Sequence, residues 1–229
     1  MAHYVVATTK SWNVEKYGKL VEAFPEEEFC LVTDKEQLTE ELLKDIKPRY
    51  VFFPHWSWII PKEIYNNYEC VVFHMTDLPF GRGGSPLQNL IVRGIYNTKV
   101  SAIKVEAGLD TGPVYMKVPI DISEGNADEI LSRVADIVFS EMIPAFIKGN
   151  LVATEQSGEV VSFARRKPEE SRIPDGLSQR QLYDYIRMLD GEGYPAAYFE
   201  ENGKKIYLRN AVYKENKVYA EACIEGREP

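Results

Sequence analysis

Cysteine is scarce in this chain of 229 residues. There are three, Cys30, Cys70 and Cys223, and no two lie close together. That pattern offers neither a disulfide framework nor the paired thiols of a zinc or redox motif, and it fits reduced thiols in a cytoplasmic protein. Long apolar runs are also missing. Nothing approaches the ~18 residues of a membrane span. The opening MAHYVVATTK leads into a strand pattern without the longer apolar stretch of a signal peptide. No membrane partner and no bound metal are expected. A third lack is the glycine-rich phosphate loop: neither GxGxxG nor a Walker sequence follows the first strand-like run, which argues against a dinucleotide oxidoreductase or a nucleoside triphosphatase. Positive charge is in deficit as well. With 27 Lys and Arg against 35 Asp and Glu, the net charge of −8 argues against a broad grip on nucleic acid.

What is present is ordinary globular material, 45% hydrophobic and 27% charged. Short apolar runs, Tyr4–Thr9, Phe29–Thr33, Tyr50–Pro54, Cys70–Met75, Val100–Val105 and Val114–Ile120, predict strands. Helical spacing separates several of them, at Val14–Phe24, Glu36–Ile46 and Ser85–Arg93, with Ser85 as N-cap and Pro86 at the first helical position. Near-continuous apolar strands alternating with helices predict an α/β fold with a mostly parallel sheet covered on both faces. Asn126–Lys148 predicts one long amphipathic helix stopped at Gly149. After residue 150 the pattern changes. A helix over Ser178–Leu189 opens on a capping box, and a hairpin turns at Glu201-Asn202-Gly203. The expected division is therefore 1–150 as the core and 151–229 as a small α+β appendage.

The candidate functional residues cluster at the carboxyl ends of predicted strands, where open α/β sheets bind ligands. His74 ends the fourth strand and precedes a Gly/Pro-rich loop. Its imidazole can exchange a proton near neutral pH. Asp110 lies in Glu106-Ala107-Gly108-Leu109-Asp110-Thr111-Gly112, where it either caps a turn or orients an imidazole. His55 lies in Pro54-His55-Trp56-Ser57-Trp58-Ile59-Ile60-Pro61, which either lines a slot for a flat ring or plugs the sheet edge. Lys10, Ser11 and Trp12 follow the first strand as phosphate contacts or as an ordinary helix start. Arg82, beside Gly83, Gly84 and Ser85, pairs with an anion or with solvent.

His74-Met75-Thr76-Asp77-Leu78-Pro79-Phe80-Gly81-Arg82-Gly83-Gly84-Ser85-Pro86 resembles the signature of the folate-dependent formyltransferases. Leu109-Asp110-Thr111-Gly112-Pro113 is similar to that family's second signature, and Trp58-Ile59-Ile60-Pro61 resembles its loop beside the pterin. Phe163–Glu169 and Ile186-Arg187 resemble the start of its C-terminal region, so the likeness runs over roughly residues 50–190. The resemblance implies a Rossmann-like core using 10-formyltetrahydrofolate as formyl donor. It makes His74 the general base or oxyanion partner and Asp110 its carboxylate, while His55 or Thr76 is the expected substitute for a donor of the family that this chain lacks. Trp58, Ile59, Ile60, Glu106, Ala107, Gly108 and Leu109 then border the folate, and Lys10, Ser11, Trp12, Arg82, Gly83 and Ser85 face the acceptor. One departure stands out. The family's asparagine two positions before the histidine is Val72 here, which cannot donate a hydrogen bond.

Within that family, the acidic charge and short appendage point to the sugar N-formyltransferases. The expected acceptor is a UDP- or dTDP-linked 4-amino-4,6-dideoxyhexose, as in pseudaminic-type surface glycan synthesis, in a homodimer with no nucleic-acid partner. The alternatives are a methionyl-tRNA or glycinamide ribonucleotide formyltransferase, or a folate or nucleotide-sugar binding module with an impaired site.

Overall fold

The computed structural model describes residues 1–226. Its elements follow the apolar periodicity. Strands β1 (His3–Ala7), β2 (Glu28–Val32), β3 (Tyr50–Phe53) and β4 (Cys70–His74) alternate with helices α1 (Ser11–Ala23), α2 (Glu40–Ile46) and α3 (Lys62–Tyr65). Then come β5 (Phe80–Gly83), α4 (Pro86–Ile91), β6 (Asn97–Lys104), β7 (Val114–Asp121), α5 (Ala127–Ile137), α6 (Ile143–Lys148) and β8 (Val161–Phe163). The chain finishes with α7 (Gln179–Arg187) and strands β9 (Ala197–Glu201), β10 (Lys204–Lys214) and β11 (Lys217–Glu225).

The main sheet has the order β2-β1-β3-β4-β6-β7. Its β2, β1, β3 and β4 run parallel, and β6 joins β4 antiparallel with Ser101 opposite His74. The expected mostly parallel sheet is present. Tyr4 and Val6 of β1 face one side with Phe52, Val71, Met142 and Phe146, while Val5 and Ala7 face the other with Val51, Phe53, Leu43 and Ile64. Period-2 alternation of apolar residues on both sides is what a sheet covered on two faces requires. Phe52 is fully buried, with its ring centroid 6.1 Å from Tyr4 and 5.4 Å from Phe146. Truncation of such a phenylalanine costs ~3–5 kcal/mol. Cys70 is buried in the second cluster, and burial, aided by the charge of Glu69, pushes its thiol up to about 12.

Two units divide the chain. The first comprises Met1–Arg82, Lys99–Ile120 and Ser132–Ser162, and the second Gly83–Thr98, Asp121–Leu131 and Phe163 onward. They interleave along the sequence, whereas the change of sequence pattern falls near residue 150. In the second unit, β9, β10 and β11 form an antiparallel sheet, and Asn202 and Gly203 adopt φ of 49° and 75° at the expected hairpin turn. Ser178 and Gln181 form the expected capping box at α7. Arg187 is 1% exposed and is held by Asp184 at 2.6 Å and by the carbonyls of Ile122 and Gly125.

Three local expectations are corrected. The helix expected over Asn126–Lys148 is interrupted by a π-turn at Val138–Met142. Pro144 explains it, because proline lacks the N–H for an α-type bond and crowds the preceding turn. Ser85 is not a side-chain N-cap. It adopts φ 48° and makes no capping bond, and its Oγ accepts the backbone N–H of Arg166 at 3.1 Å. Strands β5 and β8, which pair with each other, were not expected as strands.

Candidate active site

His74 is the last residue of β4 and is 9% exposed. Its Nδ1 lies 3.5 Å from Oδ2 of Asp110, and its Nε2 lies 2.8 Å from the carbonyl oxygen of Gly81. A carbonyl oxygen only accepts, so Nε2 carries the hydrogen of that contact. The ring is therefore flanked by acceptors on both sides, an arrangement for donating rather than accepting. The Thr76 hydroxyl is buried and donates to the same Gly81 carbonyl at 3.3 Å, and Ser101 Oγ fixes the Thr76 carbonyl at 2.7 Å. Gly81 thus gathers two of the expected catalytic residues through its backbone, a role the sequence could not reveal.

Asp110 reaches His74 from the loop between β6 and β7. It adopts φ 53°, a left-handed conformation uncommon for a non-glycine residue, which aspartate tolerates better than most. His55 shares the left-handed conformation, at φ 54°. Such backbone recurs at functional sites, where surrounding structure over-determines it. In the Asp110 loop the support comes from Gly112, whose backbone passes so close to β6 that an added Cβ would meet the Lys104 carbonyl oxygen at 1.9 Å. The Thr111 hydroxyl donates to the Ala107 carbonyl at 3.1 Å. Glu106, Ala107, Gly108 and Leu109 are exposed, with Leu109 at 68%.

Sequence reasoning missed Gln156. Its Nε2 donates to the carbonyls of Asp110 and Gly112, both at 2.8 Å, and its Oε1 accepts from Arg82 Nε at 3.0 Å and Nη2 at 2.7 Å. Arg82, expected as an anion contact, is engaged by this amide. Gln156 sits in a polar tract without helical or strand periodicity, so no sequence signal marked it. Gly83 and Ser85 belong to the second unit, where an added Cβ on Gly83 would meet the Phe163 carbonyl oxygen at 2.4 Å.

His55 follows β3 by two residues, as His74 follows Val72, the residue paired with Phe53. Its ring lies 6.1 Å from that of Trp12, and Lys10 stands over the Trp12 ring at 5.2 Å. The structure thus brings Lys10, Trp12 and His55 together at the ends of β1 and β3, with Ser11 opening α1. Burial, and secondarily the charge of Lys10, lower the His55 pKa to about 4. At neutral pH it is an uncharged imidazole with a single N–H to donate. Val72 packs in the apolar cluster that includes Ile60, Trp56 and Val105.

The residues expected to border a folate fall into two kinds. Ile60 is 7% exposed and belongs to the core, whereas Trp58 and Ile59 are 39% and 93% exposed. Leu38, Trp56, Trp58, Ile59 and Pro61, with Lys35 and Glu36, line a cavity of about 260 Å³. The Trp56 indole N–H is buried without a hydrogen-bond partner. Apolar walls with one unmet donor fit a flat heteroaromatic ring such as a pterin. No group of three or more His, Cys, Asp or Glu that could hold a metal occurs among the described residues. Among them, no helix is long and apolar enough to cross a membrane.

The mostly parallel α/β sheet with a histidine–aspartate pair beyond its strand ends defines a candidate enzyme site, and comparison with known proteins assigns the family. Residues 7–145 match the family model described as formyl transferase, and residues 168–225 match that of the methionyl-tRNA formyltransferase C-terminal domain. The chain belongs to the formyl transferase family. A solved methionyl-tRNA formyltransferase from Clostridium thermocellum is 48% identical, covering 99% of this chain and 100% of that one with a TM-score of 0.96. The methionyl-tRNA formyltransferase of Rickettsia felis is 30% identical over 79% of this chain and 61% of its own length. The chain spans about three fifths of the curated relatives it matches. HypX from Aquifex aeolicus, solved with tetrahydrofolic acid, is 20% identical over 92% of this chain and 38% of its own, with a TM-score of 0.75. A sugar N-formyltransferase from Shewanella is 16% identical over 91% of this chain and 97% of its own, with a TM-score of 0.70. At that identity the last two share the fold alone. The expectation that sugar N-formyltransferases are the nearer relatives is thereby corrected.

Proposed function

We propose that this chain is an N-formyltransferase that moves a formyl group from 10-formyltetrahydrofolate to a primary amine, with His74 and Asp110 at the reacting centre. The observation that carries the reading is the 3.5 Å approach of His74 Nδ1 to Asp110 Oδ2 in a chain of the formyl transferase family. The bound donor supplies a formyl carbon on an aryl-amine nitrogen, whose departure returns tetrahydrofolate. His74 presents an N–H where negative charge develops on the formyl oxygen, exchanging the Gly81 carbonyl for the stronger acceptor. Asp110 holds the ring's orientation and balances its charge. The new C–N bond forms at the amine as the old one breaks. One proton leaves the attacking nitrogen and one arrives at the departing nitrogen, so the protein ends with its original proton count. With Val72 unable to donate, His55 or Thr76 takes part of the asparagine's task. His55 is the better candidate of the two, because the Thr76 hydroxyl is already committed to Gly81.

For the acceptor, the comparisons favour the amine of methionyl-tRNA over a nucleotide-linked amino sugar, reversing the order expected from charge. The net charge of −8 keeps the small acceptor as a second reading, with Lys10, Ser11 and Trp12 as its diphosphate contacts. A formyl-transfer assay with methionyl-tRNA and with UDP- and dTDP-linked 4-amino-4,6-dideoxyhexoses in parallel decides between them. Turnover on the tRNA alone establishes the first reading, and turnover on a sugar alone the second. Formylation of neither, with folate bound, returns the chain to a binding module.

A further inference from the structure

Gln156 carries the next step, which rests on the formyl-transfer reading above. Its amide makes four contacts with three partners, and their chemistry fixes its orientation. The two carbonyls of Asp110 and Gly112 need the NH2 group, and the Arg82 guanidinium needs the oxygen. The flipped amide would set oxygen against two oxygens and NH2 against a guanidinium. The strap that delivers it is itself anchored, because Thr154, two residues earlier, exchanges both backbone hydrogen bonds with Val114 at the start of β7, at 2.8 and 2.9 Å. Asp110 meanwhile sits in a left-handed conformation in a loop exposed from Glu106 to Leu109. Such a loop needs a clamp from outside itself, and the two carbonyls held by Gln156 bracket the turn that aims the carboxylate.

We propose that Gln156 is a positioning residue for catalysis, holding the Asp110 turn so that its carboxylate meets His74, with Arg82 locking the amide in the required orientation. Gln156 holds Asp110 by its backbone carbonyl and acts through that residue. A small displacement of an aligned group can cost ~100-fold in rate, so loss of the clamp lowers kcat while leaving donor binding largely in place.

The test uses the full-length protein and initial-rate formyl transfer to the acceptor that the parallel assay above identifies. Gln156→Met keeps the length and removes every polar contact. The expected result is a kcat reduced ~10–100-fold with the donor KM within about twofold. Gln156→Glu keeps a partner for Arg82 but sets a carboxylate against two carbonyls. Its activity is expected to be low at neutral pH and to recover in part as the pH falls and the new carboxyl gains a hydrogen to donate, a profile the parent lacks. In an Asp110→Asn background, Gln156→Met is expected to cost little more, because the group it positions is already disabled. Thermal melting of each variant separates rate loss from unfolding. A Gln156→Met protein with parental kcat overturns the inference. So does an equal further loss in the Asp110→Asn background, or a Gln156→Glu profile parallel to the parent's. If Asp110→Asn and His74→Ala themselves retain full rate, the function reading fails instead, so the two failures are distinguishable.

Discussion

Gly112→Ala probes the Asp110 loop where sterics leave it least room. The added methyl would lie 1.9 Å from the Lys104 carbonyl oxygen and 3.0 Å from its carbon. Both obstructing atoms are backbone of β6, which is paired with β4, so no side chain can rotate aside. The loop itself must move. It is held by the Lys104 N–H on the Pro113 carbonyl at 2.9 Å and by Gln156 on the Gly112 carbonyl at 2.8 Å. Overpacking of this kind costs ~1–3 kcal/mol. The loss of two hydrogen bonds adds ~0.5–1.5 kcal/mol each, for a total of about 2–6 kcal/mol. At ~2–4 °C per kcal/mol for a chain of this size, the midpoint falls by about 4–24 °C.

Calorimetry gives the midpoint, and initial rates taken well below it give the catalytic effect. The rate is expected to fall at least ~10-fold while the protein is still folded, because the same displacement carries Asp110 away from His74. A midpoint within about 2 °C of the parent would refute the steric argument. A large midpoint shift with an unchanged rate would sever the link between the loop and the chemistry.

Four further outcomes are expected. His74→Ala and Asp110→Asn each lower kcat by ~10²–10⁴-fold with donor binding retained in calorimetric titration with 5-formyltetrahydrofolate; retained turnover in either would remove the pair from the reaction. Ile59→Asp, at a residue 93% exposed, leaves the melting midpoint unchanged but weakens that titration at least ~10-fold, and unaltered binding would take the cavity out of the folate site. His55 has its pKa lowered from 6.5 to about 4, so the unfolded chain binds the proton more readily, and the stability this residue contributes above pH 6.5 is lost as pH falls toward 4. At ~1.4 kcal/mol per unit the loss is at most about 3.5 kcal/mol, less the relief from partial exposure; His55→Gln should flatten urea-denaturation stability across that window, and an unchanged slope would count against the assignment. Gly18→Ala in α1, where an added Cβ meets nothing within 4 Å, raises stability by ~0.5–1 kcal/mol in the same assay, and a loss would contradict the open space around it.

The strands were legible because burial on both faces of a sheet leaves continuous apolar runs, and β1, β3 and β4 carry them plainly. The hairpin at Asn202 and Gly203 was legible because few other residues adopt the paired positive φ values it needs. His74 and Asp110 stood out by chemistry, by strand-end position and by family resemblance, although 36 residues apart they said nothing of contact. Gln156 was not legible because an amide in a polar loop has no periodicity, and its partners are mainly backbone carbonyls set by tertiary structure. Ser85 misled for the opposite reason. Ser-Pro before an apolar run is a strong local capping signal, but here a strand-end turn with φ 48° overrode it. The π-turn was encoded by Pro144, but a proline in a helical pattern predicts an interruption more firmly than it predicts the form.

The loss of the family's asparagine at Val72 is best understood through the two faces of β4. Val72 lies among Ile60, Trp56 and Val105, in the apolar cluster on the second face of the sheet. An amide there would require a partner of its own or lose about 1–3 kcal/mol to desolvation. Valine removes that cost and removes a donor with it. The two groups offered as its replacement are unequal donors. The Thr76 hydroxyl is fully buried and already spent on Gly81, so using it would take from that carbonyl one of its two donors. His55 is neutral at working pH because burial, and secondarily the charge of Lys10, disfavour its charged form, so it can donate one N–H without adding a positive charge at the strand ends. A neutral imidazole is a weaker donor than a charged one, but it serves across the whole neutral range without titrating. If His55 takes the asparagine's place, His55→Phe lowers kcat by ~10²–10³-fold, comparable to the loss of one oxyanion donor, and Val72→Asn restores part of it. Rescue is the decisive arm, because a merely structural histidine on a neighbouring strand end would not be compensated by an amide on β4.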